Sequence, residues 1–210
     1  MKKLSPRVWL TLILVGLVGQ FAWTIENMYF NVYLYNTIST DPGYISAMVG
    51  WSAAAATLTT LLMGALSDRV GKRKLFICGG YLLWGLSTAA FGLVTVENAA
   101  KLFPAASAAA AAAVMIVVLD CVMTFFGSTA NDAAFNAWIT DTVPNEARGK
   151  AESVLAILPL ISMLTGAAAK IVISYVLIGN PNIRMFGAPI STDICYVIVV
   201  LMNFYFCARY

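Results

Sequence analysis

The sequence predicts an all-α integral membrane protein built as a bundle of six transmembrane helices. Of its 210 residues, 60% are hydrophobic and only 11% are charged, and the mean hydropathy is +0.82. A soluble domain carries about 25% charged residues. The charges gather in short segments between apolar runs that are each long enough to cross a bilayer. These observations predict a multi-pass protein that is embedded in the lipid bilayer.

Six apolar stretches predict six spans, numbered in chain order. The first is read as one long tilted helix because no small-residue cleavage site follows its basic start, which argues against a signal peptide. Asp41-Pro-Gly43 predicts a turn, and residues 97–104 and 179–189 are expected to form outer loops. Pro144 is expected to break the chain in an inner loop over residues 141–150. The predicted spans are Val8–Ile38, Ile45–Ser67, Leu75–Val96, Ala105–Thr140, Ala151–Ile178 and Thr192–Ala208.

The basic residues predict the orientation of the bundle. Most fall at the amino terminus, in the two predicted inner loops and after the sixth span, whereas only Lys101 and Arg184 fall on the other side. Because Lys and Arg are retained in cytoplasmic loops, both termini are expected in the cytoplasm, with the plasma membrane as the expected location. The net charge of +3 belongs to these loops, so it does not indicate a nucleic-acid partner.

The composition argues against an enzyme. The chain has no histidine, and its four cysteines are scattered through apolar runs without paired spacing. This leaves no zinc-type ligand set and no Cys–His nucleophile. We therefore expect no metal, no cofactor and no catalytic residue.

A basic turn between spans 2 and 3 carries a family resemblance. Its members are Gly64, Asp68, Arg69, Gly71, Lys72, Arg73 and Lys74. The glycines permit close approach and a sharp reversal, and Asp68 at a helix carboxyl end needs a partner such as Arg69 or Arg73. The string resembles the loop between the second and third helices of the major facilitator superfamily of transporters, in which it is a structural and gating element.

That resemblance implies two six-helix halves with the substrate bound between them. The sequence corresponds to an amino-terminal half, so we expect either that it is part of a longer protein or that it pairs with a separate second half.

Ionisable residues inside the spans are the first candidates for function, because each costs several kcal/mol in lipid unless it is paired or hydrated. They are Glu26 in span 1, Asp120 and Asp132 in span 4, and Lys170 in span 5. Glu26 and Asp120 are at similar depth and are predicted to face each other across one cavity, with Lys170 able to neutralise either. Structural charge pairing, above all between Asp120 and Lys170, is the alternative.

Polar and aromatic side chains suggest the kind of solute. A polar stripe at helical spacing follows span 1 beside Trp23 and consists of Gln20, Thr24, Asn27 and Asn31. Glu26 is predicted to lie about 100° around the helix from Asn27. Amides together with aromatic faces suit a hydroxyl-rich ligand such as a sugar. Further aromatics are Tyr29, Tyr33, Tyr35 and Trp51. Tyr and Trp are equally expected as interfacial anchors, and for Tyr33 and Tyr35, near the outer surface, that interpretation is favoured.

A second resemblance lies in span 4. Asn131, Asp132, Asn136 and Asp141, followed by Pro144, Arg148 and Gly149, resemble the fourth helix and loop of the glycoside–pentoside–hexuronide symporters and related sucrose-type carriers. It implies that Asp132 helps to bind substrate or coupling ion. Span 2 lacks the acid of the sodium-coupled members, which favours protons. Arg148 and Lys150 are expected to neutralise nearby acids and to pair with the Asp68 loop.

The sequence thus predicts alternating-access transport of a small solute, as proton-coupled sugar or glycoside symport. Export of amphipathic drugs is the alternative within transport. A non-transporting membrane partner subunit is the alternative outside it.

Overall fold

The computed structural model describes the backbone of residues 4–177, 184–185 and 188–189. Side chains are described up to residue 166, except those of Ile25, Met28 and Tyr29. Within this part of the chain, five helices are long and apolar enough to cross a membrane. They correspond to predicted spans 1 to 5. Predicted span 6, Thr192–Ala208, lies outside the described residues.

The helices run almost without interruption. Span 1 is continuous over residues 6–38, span 2 is Pro42–Val70, and span 3 is Arg73–Ala90 extended by a 3₁₀ turn, Phe91–Leu93. A connecting helix, Val96–Leu102, precedes span 4 over residues 108–142, and span 5 is Asn145–Leu177 with Pro159 inside it. Two strands, Arg184–Met185 and Ala188–Pro189, pair antiparallel.

Spans 1 and 4 contain π-helical turns. In span 1 the α-helix Pro6–Ile25 passes into π turns at Glu26–Phe30 and Leu34–Ile38, separated by Asn31–Tyr33. In span 4 the π segment Ser128–Phe135 lies between Ala108–Gly127 and Asn136–Thr142. A π turn inserts an extra residue and rotates the following side chains relative to an α-helix.

The predicted outer loop 97–104 is largely helical instead. Thr95 accepts a hydrogen bond from the Asn98 amide as N-cap, and Glu97 pairs with Lys101 one turn on at 2.8 Å. Both are local helix-start signals. Span 3 ends before Val94, short of its predicted end, and the Val94 carbonyl accepts a hydrogen bond from the Tyr33 hydroxyl at 2.7 Å.

The spans pack through small residues and aromatic rings. Span 4 packs against spans 2 and 3, while span 1 packs against span 5, where Thr24 and Ser162 share a hydrogen bond of 2.8 Å. A Cβ on Gly80 of span 3 would lie 2.8 Å from Ala130 Cβ. Phe30 stacks on Phe91 with centroids 4.1 Å apart.

Span 2 leaves most of its surface uncovered. Leu58, Leu61 and Leu62 are 61%, 71% and 64% exposed. Such an apolar surface fits hydrocarbon, where exposure of leucine costs nothing. The protein is an all-α membrane bundle that contacts lipid.

Candidate functional site

A cavity of about 190 Å³ lies between spans 1, 2 and 4. Span 1 lines it through the first π turn, span 2 through its outer half, and span 4 through its α-helical part. The lining residues are Trp23, Glu26, Asn27 and Asn31, then Met48, Val49, Ser52, Ala53 and Ala56, and finally Asp120 and Thr124. The lining thus combines two carboxylates, amides and hydroxyls with an apolar wall from span 2.

Glu26 and Asp120 share this cavity, in the arrangement expected from their depth. Both are buried, with 8% and 2% of their surfaces exposed, and their charges interact. Ser52 is close enough to interact with the Asp120 carboxylate. No basic side chain lines the cavity among the described residues. When both carboxylates are ionised they repel each other, so a proton or another cation bound to one relieves that repulsion.

Three buried polar atoms around the cavity have no hydrogen-bond partner among the described residues. They are Glu26 Oε2, Asn31 Oδ1 and Thr124 Oγ1. Buried polar atoms are normally satisfied, and those left over indicate a bound water, ion or ligand. Since all three belong to the lining of one cavity, the cavity offers hydrogen-bond acceptors to whatever enters it.

The π turn of span 1 explains how Glu26 and Asn31 come to line the same cavity. At 100° per residue, Glu26 is predicted well away from the stripe that contains Asn27 and Asn31. The π turn begins at Glu26 itself, and its wider spacing rotates these side chains toward one another. The other two residues of the predicted stripe, Gln20 and Thr24, do not line the cavity. Thr24 bonds to Ser162 of span 5, and Gln20 is half-buried.

Trp23 lines the cavity and packs edge-to-face against Trp84, whereas Tyr33, Tyr35 and Trp51 are not in the lining. Trp51 is 66% exposed. Tyr33 is buried and donates to a backbone carbonyl, so the interpretation of Tyr33 as a surface anchor is wrong. Tyr35 is 44% exposed. The Tyr29 side chain lies outside the description.

Asn131 and Asp132 belong to a second polar cluster that is not in the cavity lining. Asn131 Oδ1 accepts from the Tyr81 hydroxyl at 3.1 Å, and Asn131 Nδ2 donates to Asp132 Oδ1 at 3.1 Å. Gly19 makes room for this contact, because a Cβ there would lie only 2.3 Å from Asn131 Oδ1. Asn136 is exposed and donates to the Asp132 carbonyl. Lys170, the predicted partner of Asp120 or Glu26, lies in the helix of span 5, but its side chain lies outside the description.

The basic turn between spans 2 and 3 is organised by Arg73. Its guanidinium bonds Asp68, the Ser67 hydroxyl at 2.6 Å, and Asp141 at the end of span 4 at 3.0 Å. Arg73 is therefore the partner that Asp68 requires. Gly71 has φ +67°, the left-handed conformation that ends span 2.

Other members of the turn behave differently from the prediction. A Cβ on Gly64 would meet nothing, so this glycine mediates no close approach among the described residues. Arg69, Lys72 and Lys74 are exposed. Asp141 is bound by Arg73 rather than by Arg148, which donates to the Thr140 carbonyl at 3.1 Å. The two inner loops do meet, but through Arg73.

A multi-pass bundle with a charged cavity and this basic turn is typical of a class of membrane transporters. The chain belongs to the Major Facilitator Superfamily, whose family model matches residues 12–205. No curated protein and no solved structure matches the chain closely enough to count as a relative. The protein is thus an integral, multi-pass membrane transporter of this superfamily.

Sequence reasoning missed Ser52 and the three π segments. Ser52 is a single hydroxyl next to an alanine run, which on its own reads as helix packing. Its signal is its depth, since it falls in the outer half of span 2, as Glu26 and Asp120 do in their own spans. The residue types in these segments do not predict the π turns.

Proposed function

We propose that the protein is a proton-coupled symporter of a small hydroxylated solute such as a sugar or glycoside. The observation that carries the proposal is the cavity in which Glu26 and Asp120 meet, with unpartnered acceptor atoms on Glu26, Asn31 and Thr124. Sugar hydroxyls donate hydrogen bonds to such acceptors, and the Trp23 ring offers an apolar face to a sugar ring.

Coupling follows from the two carboxylates. A proton on one of them removes their mutual repulsion and leaves a hydroxyl donor for the solute. When the cavity opens to the cytoplasm and the solute leaves, the proton can leave as well. Asp132 is proposed as a further coupling residue nearer the cytoplasm, held by Asn131. A second six-helix half, joined or separate, would close the cavity from the other side.

Export of amphipathic cations is the second candidate. It is favoured by the absence of a basic side chain from the described lining and by the apolar wall of Met48, Val49, Ala53 and Ala56. A protonated amine would neutralise the carboxylates in place of a proton.

One experiment separates the two. The full-length protein is reconstituted into liposomes that contain a pH-sensitive dye, and xylose, melibiose, sucrose and glucuronate are added outside. Symport predicts that at least one of them drives protons inward. If none does, and if uptake of a cationic dye such as ethidium drives protons outward in exchange, the protein is an exporter and the sugar proposal is wrong.

A further inference from the structure

Polar side chains follow one line along span 4 at every fourth residue. From the outer side the line is Asp120, Thr124, Ser128, Asp132, Asn136 and Thr140. On an α-helix such a line drifts by about 40° at each step. The π segment Ser128–Phe135 turns less per residue and so opposes that drift. The line therefore stays close to one side of the span.

The line changes from buried to exposed along its length. Asp120, Thr124 and Ser128 are 2%, 1% and 0% exposed. Asp132 is half-buried, and Asn136 and Thr140 are exposed. A line of this kind leads from the buried carboxyl of Asp120 in the cavity to accessible surface at the cytoplasmic end, over about 18 Å between the two aspartates at 1.5 Å per residue.

The two hydroxyls in the middle of the line are unusual for this chain. Many helical Ser and Thr hydroxyls of this chain bond a carbonyl one turn back, as Thr129 does to Phe125 at 2.7 Å and Thr140 does to Asn136 at 3.0 Å. Thr124 Oγ1 and Ser128 Oγ are buried and bond no backbone carbonyl among the described residues. Each lies beside a carboxylate, Thr124 beside Glu26 and Ser128 beside Asp132.

We propose that Thr124 and Ser128 carry protons between the Glu26–Asp120 cavity and Asp132. The route rests on the proposed proton-coupled function. In each step a hydroxyl oxygen accepts a proton from one neighbour and releases its own to the next, so both hydroxyls end unchanged. One proton leaves the cavity carboxylates and one is gained by Asp132. Because Cβ atoms four residues apart are about 5–6 Å apart, water bridges the steps between side chains.

Few other titratable groups face this line. Span 1 contributes Glu26, and span 3 carries Cys78 and Tyr81, the latter bonded to Asn131. Span 2 has no titratable side chain between Tyr44 and Asp68, and span 4 adds only Cys121 beside Asp120. The connecting helix, which packs against Ala108–Gly127 of span 4, carries Glu97 and Lys101, and these two are exposed and bond each other.

The test compares Thr124→Val and Ser128→Ala with Thr129→Val. Thr129 is an equally buried position on the same span, but its hydroxyl is already bonded to the backbone. All are reconstituted as the full-length protein with the four sugars as probe. Two quantities are measured, sugar-driven proton influx and sugar counterflow at equal pH, which needs no net proton transfer. Thr124→Ser keeps the hydroxyl and is a further control. Thr124→Ala replaces Thr124→Val if the valine variant does not fold.

The route predicts that Thr124→Val and Ser128→Ala slow proton influx about tenfold or more. Ser128 is not in the cavity lining, so counterflow in Ser128→Ala should stay as in the wild type. Thr124→Val also removes an acceptor from the lining, so its counterflow should fall, but less than its influx. Thr129→Val and Thr124→Ser should resemble the wild type in both assays. Wild-type influx in both hydroxyl-free variants overturns the route and leaves the proposed function intact. An equal loss of influx and counterflow in Ser128→Ala also overturns it, since that indicates packing. A wild-type protein without sugar-driven proton influx overturns the proposed function itself, and the route with it.

Discussion

Glu26 of span 1 and Asp120 of span 4 line the same cavity, and their charges interact across it. No cation from the described lining separates them. Repulsion between two such carboxylates favours the binding of a proton or a cationic group to one of them. The coupling that we propose therefore rests on this pair, and the solute contacts rest on the polar atoms around it.

Asn31 should affect solute binding and not turnover. Its Oδ1 is buried in the cavity wall without a partner among the described residues, and a hydrogen bond to a neutral group is worth about 0.5–1.5 kcal/mol. Asn31→Leu should therefore raise KM for the transported sugar roughly threefold to tenfold at unchanged kcat. Asn36→Leu, at an exposed position of the same span, is the control. An unchanged KM in Asn31→Leu would remove Asn31 from the site.

Adjacent glycines of span 3 should respond oppositely to alanine. A Cβ on Gly80 would lie 2.8 Å from the Cβ and 3.2 Å from the backbone nitrogen of Ala130, whereas a Cβ on Gly79 would meet nothing. Gly80→Ala should lower the free energy of unfolding by about 1–3 kcal/mol through overpacking. Gly79→Ala should leave it unchanged or raise it by up to about 1 kcal/mol through helix propensity. Unfolding in detergent measures both, and equal stabilities would contradict the span 3–span 4 contact.

Arg73 should contribute more to the inner surface than its basic neighbours. It bonds Asp68, Ser67 and Asp141, whereas Lys72 is exposed with no ion pair among the described residues. Arg73→Gln should lower the free energy of unfolding by about 1 kcal/mol, since partly exposed ion pairs are each worth less than that. Lys72→Gln should have no measurable effect. Urea unfolding of both variants tests this, and a larger loss for Lys72→Gln would show that the wrong residue has been assigned.

Glu97 should titrate below the usual glutamate range. The Lys101 ammonium, through its hydrogen bond and its charge, lowers the pKa of the Glu97 carboxyl. A lowered folded-state pKa stabilises the connecting helix above the unfolded value, about 4.3, and that contribution is lost as pH falls through the folded pKa. Carboxyl NMR titration should show the shift in the wild type and its loss in Lys101→Met. An ordinary pKa in the wild type would argue against the pair.

The sequence predicts the spans well because apolar length and loop charge decide them directly. Predicted spans 1 to 5 each correspond to a helix long and apolar enough to cross a membrane. Span 5 begins at Asn145 rather than at Ala151, since Pro144 alone is enough to break the chain. The predicted loop at 97–104 is wrong, because a local cap and one ion pair form a helix there. The similar depth of Glu26 and Asp120 could be predicted from the sequence, because it depends only on the position of each residue along its span.

Which side chains share a face is less predictable. Counting at 100° per residue separates Glu26 from Asn31, and a π turn brings them together. π turns depend on tertiary packing more than on local propensity. The partner of Asp141 depends in the same way on how two loops approach each other. Arg148 is near Asp141 in the sequence, but Arg73 of the other loop forms the ion pair.

The most direct test of the central claim measures sugar-driven proton influx and sugar counterflow in Glu26→Gln and Asp120→Asn. Glu97→Gln, at an exposed carboxylate outside the spans, is the control. Because each amide keeps the shape of the side chain but cannot carry the proton, we predict that influx is abolished in both variants while counterflow persists. Full sugar-driven proton influx in both would contradict the assignment of coupling to this pair.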